Sequence, residues 1–302
     1  MDRKTLGVRC AMLMNSTSPT QLTDGTLTAQ VLTPAYPFGG ARLLTLALPT
    51  TVDPMGSSGR YFLARCGAQS ELERAEGWQI YFRRPLFVAF AEQIPPPSPD
   101  AMEETPPIHR WALIVPPGAD PGAQWLAELS ASAPLNLIGP LGQSFSLRPL
   151  ARNLLLLTDD DHTPLLLGLI EPLLDRGGKV TLLVRTPTAS GHSGADALRA
   201  WLPIPVELRL ATSDAEWHTH LPETLRWADQ VCAALPNAAY PALAAAIRQV
   251  RFRLEPDFAQ VLVHTPLPCG VGACLACVYP LADGSFTRAC VHGPVLELAR
   301  VG

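Results

Sequence analysis

The chain has 302 residues, 47% hydrophobic and 17% charged, with a formal net charge of −4. That length suits two or three domains with sizeable cores, and the composition excludes wholesale disorder. The charge balance gives no global pull toward nucleic acid or an anionic membrane surface. No apolar run approaches the roughly 18 residues of a membrane span, and Arg9 interrupts the only apolar stretch before Met14, so the start does not read as a secretory signal. A cytoplasmic protein is expected. Proline, at 31 of 302 residues, is about twice its usual share, which favours short elements and loops over long helical bundles.

The first hundred residues read as short strands. Leu27, Ala29 and Val31 alternate with more polar neighbours, and Leu44, Leu46 and Leu48 do the same. The runs RYFLARC (60–66) and WQIYFRRPLFVAF (78–90) are rich in aromatic and long apolar residues. Such strands, spaced by Gly and Pro breaks, predict an antiparallel barrel or sandwich. Residues 94–107 are proline-rich and acidic, and are expected to form an exposed loop. HRWALIV (109–115) resumes as a strand, PGAQWLAELSA (121–131) reads as a short helix, and LNLIGPLGQSF (135–145) as a strand followed by a turn.

From Arg152 the pattern changes. NLLLLT (153–158) and KVTLLVR (179–185) are continuous apolar strands, and TPLLLGLIEPLLDRGG (163–178) between them is helix-like but crossed by Pro172, with a Gly177-Gly178 stop. PVELRLAT, DQVCAAL and AQVLVHT follow as strands, with helical material such as AAYPALAAAIRQVRF (238–252) between them. Apolar strands alternating with helices imply a parallel sheet built by βαβ crossovers.

The cysteines carry the most specific signal. Cys10, Cys66 and Cys232 are scattered and read as small buried hydrophobes. Cys269, Cys274, Cys277 and Cys290 follow a C-x4-C-x2-C-x12-C order, that of plant-type [2Fe–2S] sites. Gly270 and Gly272 let the backbone of CGVGACLAC wrap closely, with amides turned toward bound sulfur. Asp283-Gly284 is a hairpin-turn signal that would fold Cys290 back beside Cys277. Zinc, which usually takes paired C-x2–4-C knuckles, and a plain structural role are the alternatives. His264 and His292 flank the segment, as hydrogen-bond donors to a cluster sulfur or as ordinary surface histidines. No nucleophile elbow, phosphate-binding Walker loop or H-E-x-x-H helix occurs.

CGVGACLAC with CVHGPVLEL after it, GPLGQSF near Gly139 and RRPLFV near Arg84 resemble the electron transfer subunit family of NAD-dependent dihydroorotate dehydrogenase, within the ferredoxin–NADP reductase superfamily. The resemblance implies an FAD-binding-type barrel over residues 1–148, a nucleotide-type α/β domain over 149–258 and a [2Fe–2S] domain over 259–302. It implies a place in pyrimidine biosynthesis, with electrons relayed to or from an FMN-carrying dehydrogenase subunit in a hetero-oligomer. Cys269, Cys274, Cys277 and Cys290 are the implied cluster ligands, and Arg84, Pro85, Gly122 and Gly139 the implied flavin contacts; a solvated or salt-bridged strand end is the alternative for Arg83 and Arg84. Phe87 stands where the family has a serine facing the flavin, and Gly122-Ala123 where it has Gly-Thr, so one hydroxyl is missing at each place.

An NAD site is not expected. The glycine-rich turn that admits a dinucleotide pyrophosphate is replaced by Thr158, Asp159, Asp160, Asp161, His162, Thr163 and Pro164. One carboxylate about 4 Å from a phosphate costs roughly 1 kcal/mol in water and about 4 kcal/mol at an effective dielectric of 20, against a helix-dipole attraction of about 0.3–1 kcal/mol. The family's later Cys-Gly-Pro appears as Cys232-Ala233-Ala234-Leu235-Pro236. Asp159–His162 itself reads as a capping turn, with a cation site as its alternative. A diverged member that binds only the cluster, as redox relay or assembly partner, is the alternative to a flavin-bearing subunit.

Overall fold

The computed structural model describes residues 19–21, 25–38, 41–54, 56–67, 80–94, 108–115, 120–186 and 198–301. Cys10 and nearly all of the proline-rich stretch lie outside the described residues. The chain divides into two compact units, one formed by residues 1–37, 42–55 and 61–140, the other by 38–41, 56–60 and 141–302.

The first unit is a barrel. Its strands are β1 (Thr20–Gln21), β2 (Leu27–Phe38), β3 (Ala41–Pro49), β4 (Tyr61–Ala64), β5 (Arg84–Ile94), β6 (Ile108–Val115) and β7 (Pro134–Leu141). They hydrogen-bond in the order β1-β2-β3-β6-β5-β4-β7, and β2 pairs with β7, so six strands close on themselves. Closure removes the open sheet edges. The alternating residues named above, Leu27, Ala29, Val31, Leu44, Leu46 and Leu48, all lie in its core. Leu44 and Leu46 face Leu113 and Trp111 across the β3–β6 ladder, and Trp111 stands edge-on to Phe62, ring centroids 5.3 Å apart. The run 78–90 is shorter as a strand than its apolar content suggests. β4 ends at Ala64, the partner of Arg84, so Tyr81 and Phe82 are exposed with no β4 residue to pair with, and Trp78 and Gln79 lie outside the described residues. Helix α1 (Pro121–Ala127) is short, as expected, about two turns, and starts on an Asp120 cap with Pro in its first turn.

The second unit holds a doubly wound sheet of β8 (Asn153–Asp159), β9 (Lys179–Arg185), β10 (Glu207–Ala211), β11 (Gln230–Ala234), β12 (Ala259–Leu262) and β15 (Val295–Glu297). The order is β10-β9-β8-β11-β12-β15. The first five are parallel and β15 is antiparallel to β12. β8, β9 and β11 are buried along nearly their whole length, which is why they read as unbroken apolar runs. The direction of winding reverses between β8 and β11, the place where α/β sheets usually open a ligand crevice.

Around the sheet lie α2 (Ile170–Leu174), α3 (Asp214–Trp227) and α4 (Tyr240–Arg251). α4 buries Tyr240, Leu243, Ala244 and Ile247, the i, i+3, i+4, i+7 stripe of a one-faced helix. The segment 163–178 departs from its helical reading: Thr163–Leu169 is a 3-10 turn and only Ile170–Leu174 is α-helical. Pro172 has no N–H to give to the Gly168 carbonyl and its ring crowds that oxygen, so the α ladder cannot run back through the segment. Between β12 and β15 the chain makes an excursion from the sheet edge, containing a two-stranded ribbon of β13 (Val278–Pro280) and β14 (Phe286–Arg288) and a single turn, α5 (Ala289–His292).

Candidate functional site

The excursion from the sheet edge brings the four clustered cysteines together. β13 and β14 pair antiparallel around Asp283-Gly284, with the Leu281 amide donating to the Ser285 carbonyl at 2.9 Å. Asp283 Oδ1 accepts from the Ser285 amide and hydroxyl, which fixes the turn. The ribbon returns the chain so that the Ala289 amide donates to the Cys277 carbonyl at 3.0 Å. Cys290 then stands beside Cys277, their Sγ atoms 3.2 Å apart. On the loop, the Sγ atoms of Cys269 and Cys274 are 3.3 Å apart. Cys277 and Cys290 are buried, Cys269 is half-buried and Cys274 is exposed.

The sulfurs are therefore arranged as two close pairs. Among the described residues no group of three or more His, Cys, Asp or Glu side chains is arranged to hold a single metal ion. Two pairs suit a two-iron, two-sulfide core, in which Cys269 and Cys274 would hold one iron and Cys277 and Cys290 the other, and the core would supply one-electron chemistry. Backbone amides supply the compensating positive ends. The amides of Cys274 and Val271, aided by that of Ala273, bring the Cys269 thiol down to about 6, while burial pushes Cys290 up. The Gly272 amide donates to Cys290 Sγ at 3.1 Å. Gly272 has φ +73°, and a Cβ on it would lie 3.1 Å from both Arg288 Cδ and Val291 Cγ2. This glycine is set by both backbone conformation and space.

The residues implied as flavin contacts are engaged within the barrel unit. Arg84 grips Asp120 with both arms of its fork, Nε to Oδ2 and Nη2 to Oδ1, each at 2.7 Å, and Nη1 donates to the Phe82 carbonyl. The same carboxylate caps α1 through the Ala123 amide, and the Arg84 guanidinium is the largest influence holding the Asp120 carboxyl below its ordinary range. A Cβ on Gly122 would lie 2.9 Å from Arg84 Cγ and Nε, so this glycine makes room for the arginine. A Cβ on Gly139 would lie 2.7 Å from Phe62 Cδ1, a packing constraint of the barrel. Pro85 is paired with Leu63 in the β4–β5 ladder, and Phe87 with Tyr61, their ring centroids 5.8 Å apart. As they stand, these residues do not fit an FAD pyrophosphate, because the guanidinium that would receive it already holds a carboxylate.

At the reversal between β8 and β11, Asp159 turns back on its own chain. Its Oδ1 accepts from the His162 amide at 3.0 Å and lies 2.6 Å from His162 Nδ1, a local turn; the 3-10 segment that follows starts after His162 without a side-chain cap. Sequence reasoning missed that the His162 ring packs against His264, centroids 4.3 Å apart. These residues are 102 positions apart, and only the winding of the sheet joins them. Asn237 brackets the His264 backbone from both sides, accepting from its amide and donating to its carbonyl. His264 is thus directed toward His162. The scattered Cys66 and Cys232 are buried, and burial raises both thiols.

Burial, then the neighbouring His162 ring, lowers His264 to about 4 from an ordinary 6.5. The folded protein keeps this imidazole neutral where the unfolded chain protonates it. Its stability contribution is therefore complete above pH 6.5 and is lost as pH falls through 4. The expected slope between those values approaches about 1.4 kcal/mol per pH unit. Urea unfolding at a series of pH values should show this fall, and His264→Gln should flatten it; an unchanged slope in the variant would place the acid sensitivity elsewhere.

Residues 265–302 match the family model of the iron–sulfur cluster binding domain of dihydroorotate dehydrogenase B. A comparison with curated proteins finds no match by sequence. The whole chain is similar in fold to the NADH-dependent reduced ferredoxin–NADP oxidoreductase of flavin-based electron bifurcation, with TM-score 0.63 and 17% identity, covering 91% of this chain and 89% of that one. It is also similar to phthalate dioxygenase reductase, a modular protein for electron transfer from pyridine nucleotides to [2Fe–2S] (TM-score 0.51, 11% identity, 92% and 78% covered). A third likeness is the ferredoxin–NADP+ reductase of Plasmodium falciparum (TM-score 0.52, 11% identity, 80% and 98% covered). Among the described residues no helix is long and apolar enough to cross a membrane. The chain thus has a fold like that of the ferredoxin reductases, and its residues 265–302 match the iron–sulfur cluster binding domain of dihydroorotate dehydrogenase B.

Proposed function

We propose that this chain is an electron-transfer subunit in which Cys269, Cys274, Cys277 and Cys290 hold a [2Fe–2S] core and exchange electrons with a partner dehydrogenase, of which dihydroorotate dehydrogenase is the one the matched domain names. The observation that supports it is the pairing of the four sulfurs, at 3.3 and 3.2 Å, on a loop and hairpin lined with inward amides. When bound, such a core takes up and returns one electron at a time. The protein's own part is to hold four thiolates in fixed pairs and to offset their charge with the amides of Gly272, Val271 and Cys274. It also keeps Cys277 and Cys290 away from water while Cys269 and Cys274 lie at the surface, where a partner would approach. The partner is read as an FMN-carrying catalytic subunit in a hetero-oligomer, acting in pyrimidine biosynthesis. A cluster-only relay is favoured over a flavin-bearing one by the Arg84–Asp120 pair.

The test is anaerobic mixing of the iron-loaded protein with an FMN-bearing dihydroorotate dehydrogenase catalytic subunit and dihydroorotate. Bleaching of the visible iron–sulfur absorbance is expected, and none with a Cys277→Ser protein. A wild-type sample that bleaches with dithionite but not with the partner and its substrate would remove dihydroorotate dehydrogenase from the proposal and leave the cluster in place.

A further inference from the structure

We infer that Asp120 is an internal competitor for Arg84, keeping from it the diphosphate of a flavin dinucleotide, so that the protein does not retain FAD. The argument starts from the guanidinium. A planar fork of N–H groups recognises carboxylate and phosphate oxygens by the same two parallel hydrogen bonds. In this chain both parallel bonds go to Asp120, at 2.7 Å each, and a third donor is taken by the Phe82 carbonyl. A phosphate approaching Arg84 meets a charge of its own sign at hydrogen-bonding distance from the guanidinium.

Asp120 is not free to swing aside without further loss. Its Oδ2 also accepts from the Ala123 amide at 2.9 Å, so releasing Arg84 in the direction of solvent uncaps α1 as well. The arginine is fixed from the other side. Its side chain fills the space over Gly122, where a Cβ would lie 2.9 Å from both Cγ and Nε. A glycine there makes room for the arginine's own packing. At the other end of the same strand segment, Phe87 presents a ring packed on Tyr61 and offers no hydrogen-bond donor or acceptor.

This inference does not rest on the iron–sulfur reading. It concerns the barrel, and its readout is bound flavin. Purified full-length protein, equilibrated with FAD and passed through a desalting column, is expected to carry less than a tenth of a flavin per chain, while its iron content is measured on the same sample. Titration with FAD, followed by flavin fluorescence, is expected to give at least tenfold tighter binding in Asp120→Ala than in wild type. Asp120→Asn keeps the shape and the capping oxygen while removing the charge, so it covers the case in which Asp120→Ala folds poorly; it should show the same direction with a smaller gain. Arg84→Ala added to Asp120→Ala should return binding to the wild-type level. Stoichiometric FAD on the wild-type protein would overturn the inference, and so would equal or weaker FAD binding in Asp120→Asn.

Discussion

Serine in place of Cys277 or Cys290 is expected to take the iron content from about two per chain to near zero, measured on anaerobically reconstituted protein together with the visible spectrum. The two positions are 0% and 1% exposed, so no solvent ligand can replace the lost sulfur. A serine hydroxyl beside the remaining thiolate also holds its proton where a metal ligand must give it up. Cys274 is exposed, so Cys274→Ser should lose least, because water and the serine oxygen can reach the open coordination position. Cys66→Ser and Cys232→Ser are the controls. Both cysteines are buried in other parts of the fold, one after β4 and one in β11, and both variants should keep their iron even where stability falls. Loss of iron should further lower the protection of amides 265–302 in hydrogen exchange, since metal binding and folding of a small ligand loop are one equilibrium. Iron content unchanged in both the Cys277 and Cys290 variants would refute the assignment.

How much of this was legible in the sequence depends on the distance over which each feature is encoded. The cysteine spacing and the Asp283-Gly284 turn lie within 22 residues, and turn chemistry alone sets the β13–β14 ribbon that returns Cys290 to Cys277. β8 and β9 announce a parallel sheet because burial on both faces leaves no polar alternation. The 3-10 turn over Thr163–Leu169 is less legible: its apolar residues fit either helix type, and only the carbonyl-to-Pro172 conflict decides. Features joined across the fold are not legible. Asp120 caps α1, and nothing in residues 116–124 says that its second partner is an arginine 36 positions back. The His162–His264 contact depends on the strand order, which no local pattern encodes. The glycines are ambiguous for a related reason. Gly122 and Gly139 are implied as places for a ligand to approach, and the atoms an added Cβ would meet there are Arg84 and Phe62.

Gly139→Ala is expected to destabilise the cofactor-free protein by about 2–4 kcal/mol. The residue has φ +144°, a conformation that costs a residue with a Cβ about 1 kcal/mol or more. The added methyl would stand 2.7 Å from Phe62 Cδ1 and 3.0 Å from the Tyr61 carbonyl oxygen, and overpacking of this kind costs about 1–3 kcal/mol. Relief is blocked on both sides. The carbonyl belongs to the β4 backbone, and Phe62 is fully buried with its ring edge-on to Trp111. At about 2.1 cal/mol/K of unfolding entropy per residue, a fall in melting temperature on the order of 3–6 °C should follow for a chain of 302 residues. Gly177→Ala separates the two causes, because Gly177 also has a positive φ, +72°, but nothing lies within 4 Å of its added Cβ; it should lose only the conformational part. The comparison decides between packing and ligand contact. A glycine kept for a bound cofactor leaves the empty protein's melting temperature unchanged when it becomes alanine, whereas one kept for Phe62 lowers it with no cofactor present. An empty Gly139→Ala protein that melts with the wild type would return this residue to the ligand.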